Sequence, residues 1–111
     1  MLYETLREKI LELDTNISVE KLQAYYGFKV SGLNNKKRSF ADLYIQSEYI
    51  KIQIYKPESR VSYSDPQKKL QLSKNENWTL GYHFFIENHN EIEYAINLIT
   101  QSYSFINDIV G

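Results

Sequence analysis

Apolar residues change their spacing several times along this chain, and each change marks an element. Tyr3, Leu6, Ile10 and Leu13 recur at helical intervals with Glu4, Arg7, Glu8 and Glu12 between them, which predicts an amphipathic helix over Tyr3 to Leu13. Asp14-Thr15-Asn16 then supplies turn formers that end it. From Leu22 to Val30 the period falls to two. Leu22, Ala24, Tyr26, Phe28 and Val30 share one face, and Gln23, Tyr25, Gly27 and Lys29 share the other, as in a strand with one wet side.

A polar stretch from Gly32 to Ser39 precedes the clearest hairpin, Phe40 to Gln46 and Tyr49 to Lys56. With Ser47 and Glu48 at the turn, Ile45 faces Ile50, Leu43 faces Ile52 and Ala41 faces Ile54, so one side is wholly aliphatic. The other side then receives Gln46 with Tyr49, Tyr44 with Lys51, Asp42 with Gln53 and Phe40 with Tyr55. Ser-Glu is poor chemistry for a two-residue primed turn, so a four-residue loop from Gln46 to Tyr49 is the alternative, with the same register.

Between Pro57 and Leu80 the chain is too long for a structureless loop in a compact domain. Asp65-Pro66 offers a cap followed by proline at a first helical position, and Leu70 and Leu72 are placed to tuck a short helical turn against the core, with Trp78 as a second anchor. A fourth strand is predicted at Tyr82 to Glu87. The last helix starts at Asn90, where Glu93 closes a capping-box pattern. Ile92, Ile96, Ile99, Tyr103, Ile106 and Val110 form its stripe, widened by Leu98, Phe105 and Ile109. The expected class is therefore α+β: one domain over 1–111, a four-stranded antiparallel sheet flanked by N- and C-terminal helices (α-β-β-β-β-α) packed on one face.

Composition limits what such a domain can do. Zero cysteines exclude a disulfide scaffold, a thiolate metal cluster and a cysteine nucleophile. No apolar block suits a secretory signal or a membrane span, so a soluble, cytoplasmic chain with no membrane contact is expected. The net charge of −1 hides a division: residues 1–28, 29–74 and 75–111 carry −2, +6 and −5. The middle segment, with Lys36, Lys37 and Arg38 at its densest, is suited to an anion. Ten tyrosines in 111 residues add a second signal. Basic charge interleaved with rings suits single-stranded nucleic acid, although tyrosine also simply favours strands.

Catalytic patterns are weak. His83 and His89 have no ligand partner at a zinc spacing, and no nucleophile elbow, Walker loop or Rossmann glycine pattern is present. Asp42, Glu48 and Lys51 come nearest to a metal-dependent nuclease set, but Glu48 falls at the turn and points away from Lys51. No enzyme activity, cofactor or metal is expected.

Several stretches carry a resemblance: Leu11-Glu12-Leu13-Asp14, Ser39-Phe40-Ala41-Asp42-Leu43-Tyr44-Ile45 leading to Ile50-Lys51-Ile52-Gln53-Ile54, Asp65-Pro66, Asn77-Trp78-Thr79-Leu80-Gly81, and Ile92 to Tyr103. Over about residues 6–105 the chain resembles a small prokaryotic family of domains of unknown function. Its modules occur at the C-terminal end of predicted restriction or nuclease-type defence proteins and of chains labelled predicted transport proteins. Where that family tends to carry Gly-His-Trp-Gly, this chain has Glu76-Asn77-Trp78-Thr79, so no role for the histidine carries over. The resemblance implies an accessory module rather than an enzyme.

The combined expectation is a non-catalytic interaction module associated with nucleic acid and with a nuclease-type partner domain. Lys36, Lys37, Arg38 and Lys51 would supply charge, Tyr44 and Tyr55 stacking, and Trp78 the loop anchor. The alternative is a protein-binding or homodimerising domain.

Overall fold

The computed structural model describes residues 2–32, 35–57, 62–73 and 80–110. Helix α1 (Leu2–Leu11) is followed by strands β1 (Ile17–Lys21), β2 (Tyr26–Ser31), β3 (Lys37–Ile45), β4 (Ile50–Ile54), β5 (Gln71–Leu72) and β6 (Tyr82–Ile86), and by helix α2 (Ile92–Val110). The strands form one antiparallel sheet in the order β1-β2-β3-β4-β6-β5. The class is α+β as expected, with six strands rather than four. Leu6 and Ile10 of α1 join Ile92, Ala95, Leu98, Ile99 and Ile106 of α2 in one buried core. Phe28, Val30, Leu43, Ile52, Ile54, Phe84 and Ile86 meet them from the sheet, so both helices lie on the same side.

The β3–β4 hairpin has the expected register, with Ala41, Leu43 and Ile45 opposite Ile54, Ile52 and Ile50. Gln46 N–H donates to the Tyr49 carbonyl at 2.9 Å, closing the turn around Ser47 and Glu48. The expected strand over Leu22 to Val30 is half turn. Leu22 N–H bonds the Tyr25 carbonyl at 2.8 Å, and the strand proper begins at Tyr26. Its partner β1 alternates Ile17 and Val19 inward against Ser18 and Glu20, a pattern too short to stand out from the preceding turn.

The expected helical turn after Asp65 is instead a tight turn leading into β5. The Asp65 carboxylate still caps, accepting from the N–H groups of Lys69 and Leu70 at 3.0 and 2.9 Å, while Lys68 takes a positive φ of 54° that ends any helical path. The cap of the last helix is displaced by two residues. Asn88 and Glu91 form the capping box around a 3-10 turn, His89–Glu91, from which α2 continues, and Glu91 also accepts from Glu87 N–H at 2.7 Å.

One irregularity decides which side several rings occupy. Phe28 pairs with Ala41, but the next residue, Lys29, pairs with Ser39, leaving Phe40 as the extra residue of a β-bulge. Phe40 turns into the core, fully buried and edge-on to Tyr103 at 5.6 Å between ring centres. The Ser102 hydroxyl of α2 donates to the Phe40 carbonyl at 2.6 Å and accepts from Tyr55 N–H at 3.0 Å. Tyr55 follows onto the helix side, its ring 6.2 Å from that of Phe105 and its carbonyl bonded by the Tyr63 hydroxyl. Phe40 and Tyr55 are thus not on the open face, contrary to the simple alternation of the hairpin.

Other tyrosines tie loops to α2. Tyr103 donates to Asp14, Tyr94 donates to Asp65 while accepting from Gln67 N–H, and Gln101 bonds both backbone groups of Ser64. The Tyr103 hydroxyl holds the Asp14 carboxyl below its usual range, and burial together with Asp14 pushes Tyr103 up to about 12. Tyr3, Tyr26, Tyr55, Tyr63, Tyr82, Tyr94 and Tyr103 all pack on the core, which accounts for seven of the ten tyrosines.

Ser102→Ala would leave the Phe40 carbonyl and the Tyr55 N–H without their shared partner. The expected cost is about 2–3 kcal/mol in urea unfolding, the penalty for buried unsatisfied groups. A change below about 0.5 kcal/mol would show that the two strands close on each other without the serine.

Candidate functional site

The face away from the helices is built by the alternate residues of the same strands. Directly opposed residues share a face, so the pairings define rows across the sheet. One row runs Glu20, Gly27, Asp42, Gln53, His83 and Gln71. The next holds Tyr44, Lys51 and Phe85, with Tyr25 continuing it beyond Tyr44 at 4.9 Å between ring centres. On the other side of the Asp42 row lie Ser18, Lys29 and Ser39, and beyond them Ser31 and Lys37.

Lys51 is flanked across the sheet by Tyr44 and Phe85, and its ammonium lies 5.6 Å from the Tyr44 ring centre, within cation–π range. Phe85 is 36% exposed and meets Tyr49 edge-on at 5.4 Å, with His83 at the same distance on its other side. Rings and a cation therefore stand in one connected line from Tyr25 to Tyr49. At the turn end, on the side of helix α1, a groove of about 420 Å³ is lined by Tyr3, Tyr26 and Tyr49 with Glu48 and Glu87 among its residues. This end of the sheet therefore carries acidic groups, whereas Lys29 and Lys37 lie towards the opposite end of the outer face.

Asp42 is the unusual member of the face. Its Oδ1 is buried without a hydrogen-bond partner. Gly27 stands opposite, where an added Cβ would lie at contact distance from that oxygen, 3.4 Å, and from the Leu22 and Tyr25 side chains, 3.6 and 3.7 Å. Burial pushes the Asp42 carboxyl up to about 6, with the Lys29 cation opposing the shift only in part. Lys29 also lies 3.7 Å from Glu20, an exposed pair of small energetic weight. Burial, followed by the Asp42 charge, raises both Tyr25 and Tyr44. Next along the row, Gln53 is only 2% exposed, and His83 Nδ1 lies 3.0 Å from the Ser73 hydroxyl. Burial and then the Lys51 charge hold His83 below its usual value, which favours the neutral imidazole.

Of the residues singled out by sequence, Tyr44 and Lys51 face each other in the ring row. Lys36, Lys37 and Arg38 are exposed where the chain enters β3, about 20 Å along the strand from Tyr44 at ~3.3 Å per residue. Lys37 pairs with Ser31 on the outer face, while Arg38 pairs with Val30 and takes the helix side. Tyr55 is on the helix side and stacks with nothing on the outer face. Trp78 lies outside the described residues. Sequence reasoning did not select Tyr25, Gln53, His83 or Phe85, and considered Asp42 only as a nuclease acid. The alternation of His83 and Phe85 was visible, but their placement beside Lys51 and Gln53 required the distant pairing of β4 with β6.

An antiparallel sheet with both helices on one side and a polar, ring-bearing face on the other defines a two-layer α+β domain. The chain belongs to the family described as a domain of unknown function, DUF5655, which matches residues 1–106. It is also 33% identical over 103 residues to an uncharacterised protein of Haemophilus influenzae. That alignment covers 91% of this chain and 32% of the relative, so the chain spans about a third of the length of the curated relative it matches. No solved structure matches it. No helix among the described residues is long and apolar enough to cross a membrane.

The Asp42 carboxyl sets a pH dependence with a definite sign. Between roughly pH 4, where a free aspartate titrates, and about pH 6 the folded chain keeps a proton that the unfolded chain has released. Stability contributed by this group is therefore lost as pH rises through that window. Asp42→Asn should flatten this part of the stability profile and raise stability at about pH 7.5 by about 1–3 kcal/mol. Urea titrations across the range check it, and an Asn variant less stable than the parent at neutral pH would refute the assignment.

Proposed function

We propose that this chain is a non-catalytic binding module whose outer sheet face receives single-stranded nucleic acid. The observation that carries the reading is Lys51 held between Tyr44 and Phe85 in the middle of an open sheet, with Tyr25 and Tyr49 extending the row. A ring row offers stacking area to bases of any identity, and a cation set among the rings meets the adjoining phosphate. Lys29, Lys37 and the neighbouring Lys36 continue positive charge away from the row, while Glu48 and Glu87 disfavour phosphate at its other end. A bound strand would accordingly run from the Tyr44 row along β3 towards the basic loop.

The arrangement also bears on the catalytic alternative. Asp42 and Lys51 share the outer face in adjacent rows, but Glu48 is exposed in the β3–β4 turn, so the acid, acid and lysine are not gathered as a metal-dependent nuclease would need. An accessory role beside a nuclease-type defence domain follows from the sequence resemblance, and the greater length of the Haemophilus influenzae relative leaves room in that protein for a further domain. A second reading, in which the face binds protein or another copy of the chain, draws on the exposed Tyr49 and Phe85.

Fluorescence anisotropy with a labelled mixed-sequence single strand at low salt separates these readings. Tyr44→Ala and Phe85→Ala should each weaken binding by about 10-fold, as expected for one lost stacking contact. Replacing Lys36, Lys37 and Arg38 together by Glu should abolish binding at low salt. An isotherm unchanged by the triple substitution would count against the proposed track. A dimer in light scattering that Phe85→Asp dissociates, with no oligonucleotide affinity, would establish the second reading in its place.

A further inference from the structure

The ring row explains affinity without sequence preference, yet the adjoining row contains polar groups that stacking does not use. Asp42 Oδ1 is enclosed without a hydrogen-bond partner, and Gln53, almost wholly buried, is its direct neighbour across the β3–β4 ladder. Buried acceptors are ordinarily satisfied, and one left open in a native fold calls for an explanation. Nothing in the packing of the core requires it, because Asp42 lies on the face opposite the helices. Oδ1 lies towards Gly27, where the side chains of Leu22 and Tyr25 also close in, so none of these neighbours offers it a hydrogen.

Asp42 is two residues from Tyr44 on the same strand and face, a separation of about 7 Å. A base stacked beside Tyr44 carries its exocyclic group about 3 Å from its ring centre, and a hydrogen bond adds about 3 Å more. The two lengths match. Resting on the nucleic-acid reading, we infer that Asp42 and Gln53 form a base-edge reader that favours cytosine and adenine over thymine or uracil.

The chemistry of selection is a matter of donors and acceptors. Cytosine and adenine both present an amino group beside a ring nitrogen acceptor, so the carboxylate accepts from the amine while the Gln53 amide donates to the ring nitrogen. Thymine and uracil present a carbonyl beside an N–H. In the register set by stacking on Tyr44, their carbonyl takes the place of the amine and faces the carboxylate, acceptor against acceptor. The favoured base meets the carboxylate on its solvent side, which the half-buried residue leaves accessible while Oδ1 lies towards Gly27.

The test uses labelled 12-mers of deoxycytidine, deoxyadenosine and thymidine with the intact chain, in anisotropy titrations at one low salt concentration. The parent should bind the cytosine and adenine strands roughly tenfold more tightly than the thymidine strand, the discrimination of one good polar pair. Asp42→Asn, which retains the shape and offers an N–H to a carbonyl, should narrow that ratio chiefly by improving the thymidine strand. Tyr44→Ala should weaken all three strands and keep their order. Equal affinities in the parent, or a preference untouched by Asp42→Asn, overturn the base reader while leaving the platform standing. Absence of binding to every strand overturns both.

Discussion

The hydroxyl of Ser102 is the contact on which the arrangement of both faces depends. Where the bulge at Phe40 interrupts the strand ladder, the Phe40 carbonyl and the Tyr55 N–H meet a helix side chain instead of each other. A buried serine in the middle of α2 satisfies both groups, so the bulge carries no unpaired backbone polarity. The geometric consequence is larger than the energetic one. Two aromatic residues that strict alternation would send outward are drawn to the helices, and the outer face beyond that point is left to Lys29, Ser39 and Lys37. With those two rings withdrawn, the remaining rings gather at one end of the face around Lys51, and Lys29 and Lys37 stand at the other.

That segregation gives the outer face a direction. Near the turn, Tyr25, Tyr44, Tyr49 and Phe85 cluster around one lysine, and at the far end the lysines have small polar neighbours. The acidic segment that the sequence placed in the last helix largely faces elsewhere. Glu91 is engaged by Lys69 at 2.8 Å and by the capping of α2, so part of the negative charge is used in holding the β5 region against the helix. The net charge of −1 therefore says little about the field over the sheet, which the local arrangement of lysines sets.

What sequence revealed and what it concealed follow from the range of the interactions involved. The β3–β4 register was legible because a two-residue turn and an unbroken aliphatic alternation determine it locally. The helices were legible for the same reason, although the cap of α2 shifted to Asn88 because Asn88 and Glu91 repeat the capping chemistry two residues earlier. The edge strands β1 and β5 were not, being short, polar and defined mainly by partners. Nor was the bulge, since Phe40 reads as an ordinary alternating residue until Ser102, 62 positions away, is placed beside it. Tyr44 and Lys51 sit on the legible hairpin, and their shared face follows from it. His83, Phe85 and Tyr25 reach the same face through pairings that the local pattern does not encode, and Tyr55 was misplaced by the unseen bulge.

Asp42 joins these two levels. An aspartate alternating outward on a strand is unremarkable in sequence, and only the packing around it shows that its charge is held against a desolvation cost. A neutral isostere would fit the same space opposite Gly27 without that cost, so foldability alone gives no reason for a carboxylate there. On the proposed reading, stability and recognition pull this position in opposite directions, as commonly happens where a site needs a polar group that the fold would rather lack. The strain is borne on the open face, beside the rings and away from the helices, where an incoming donor could relieve it. Asp14 and Asp65, by contrast, each have hydrogen-bond partners from the chain itself.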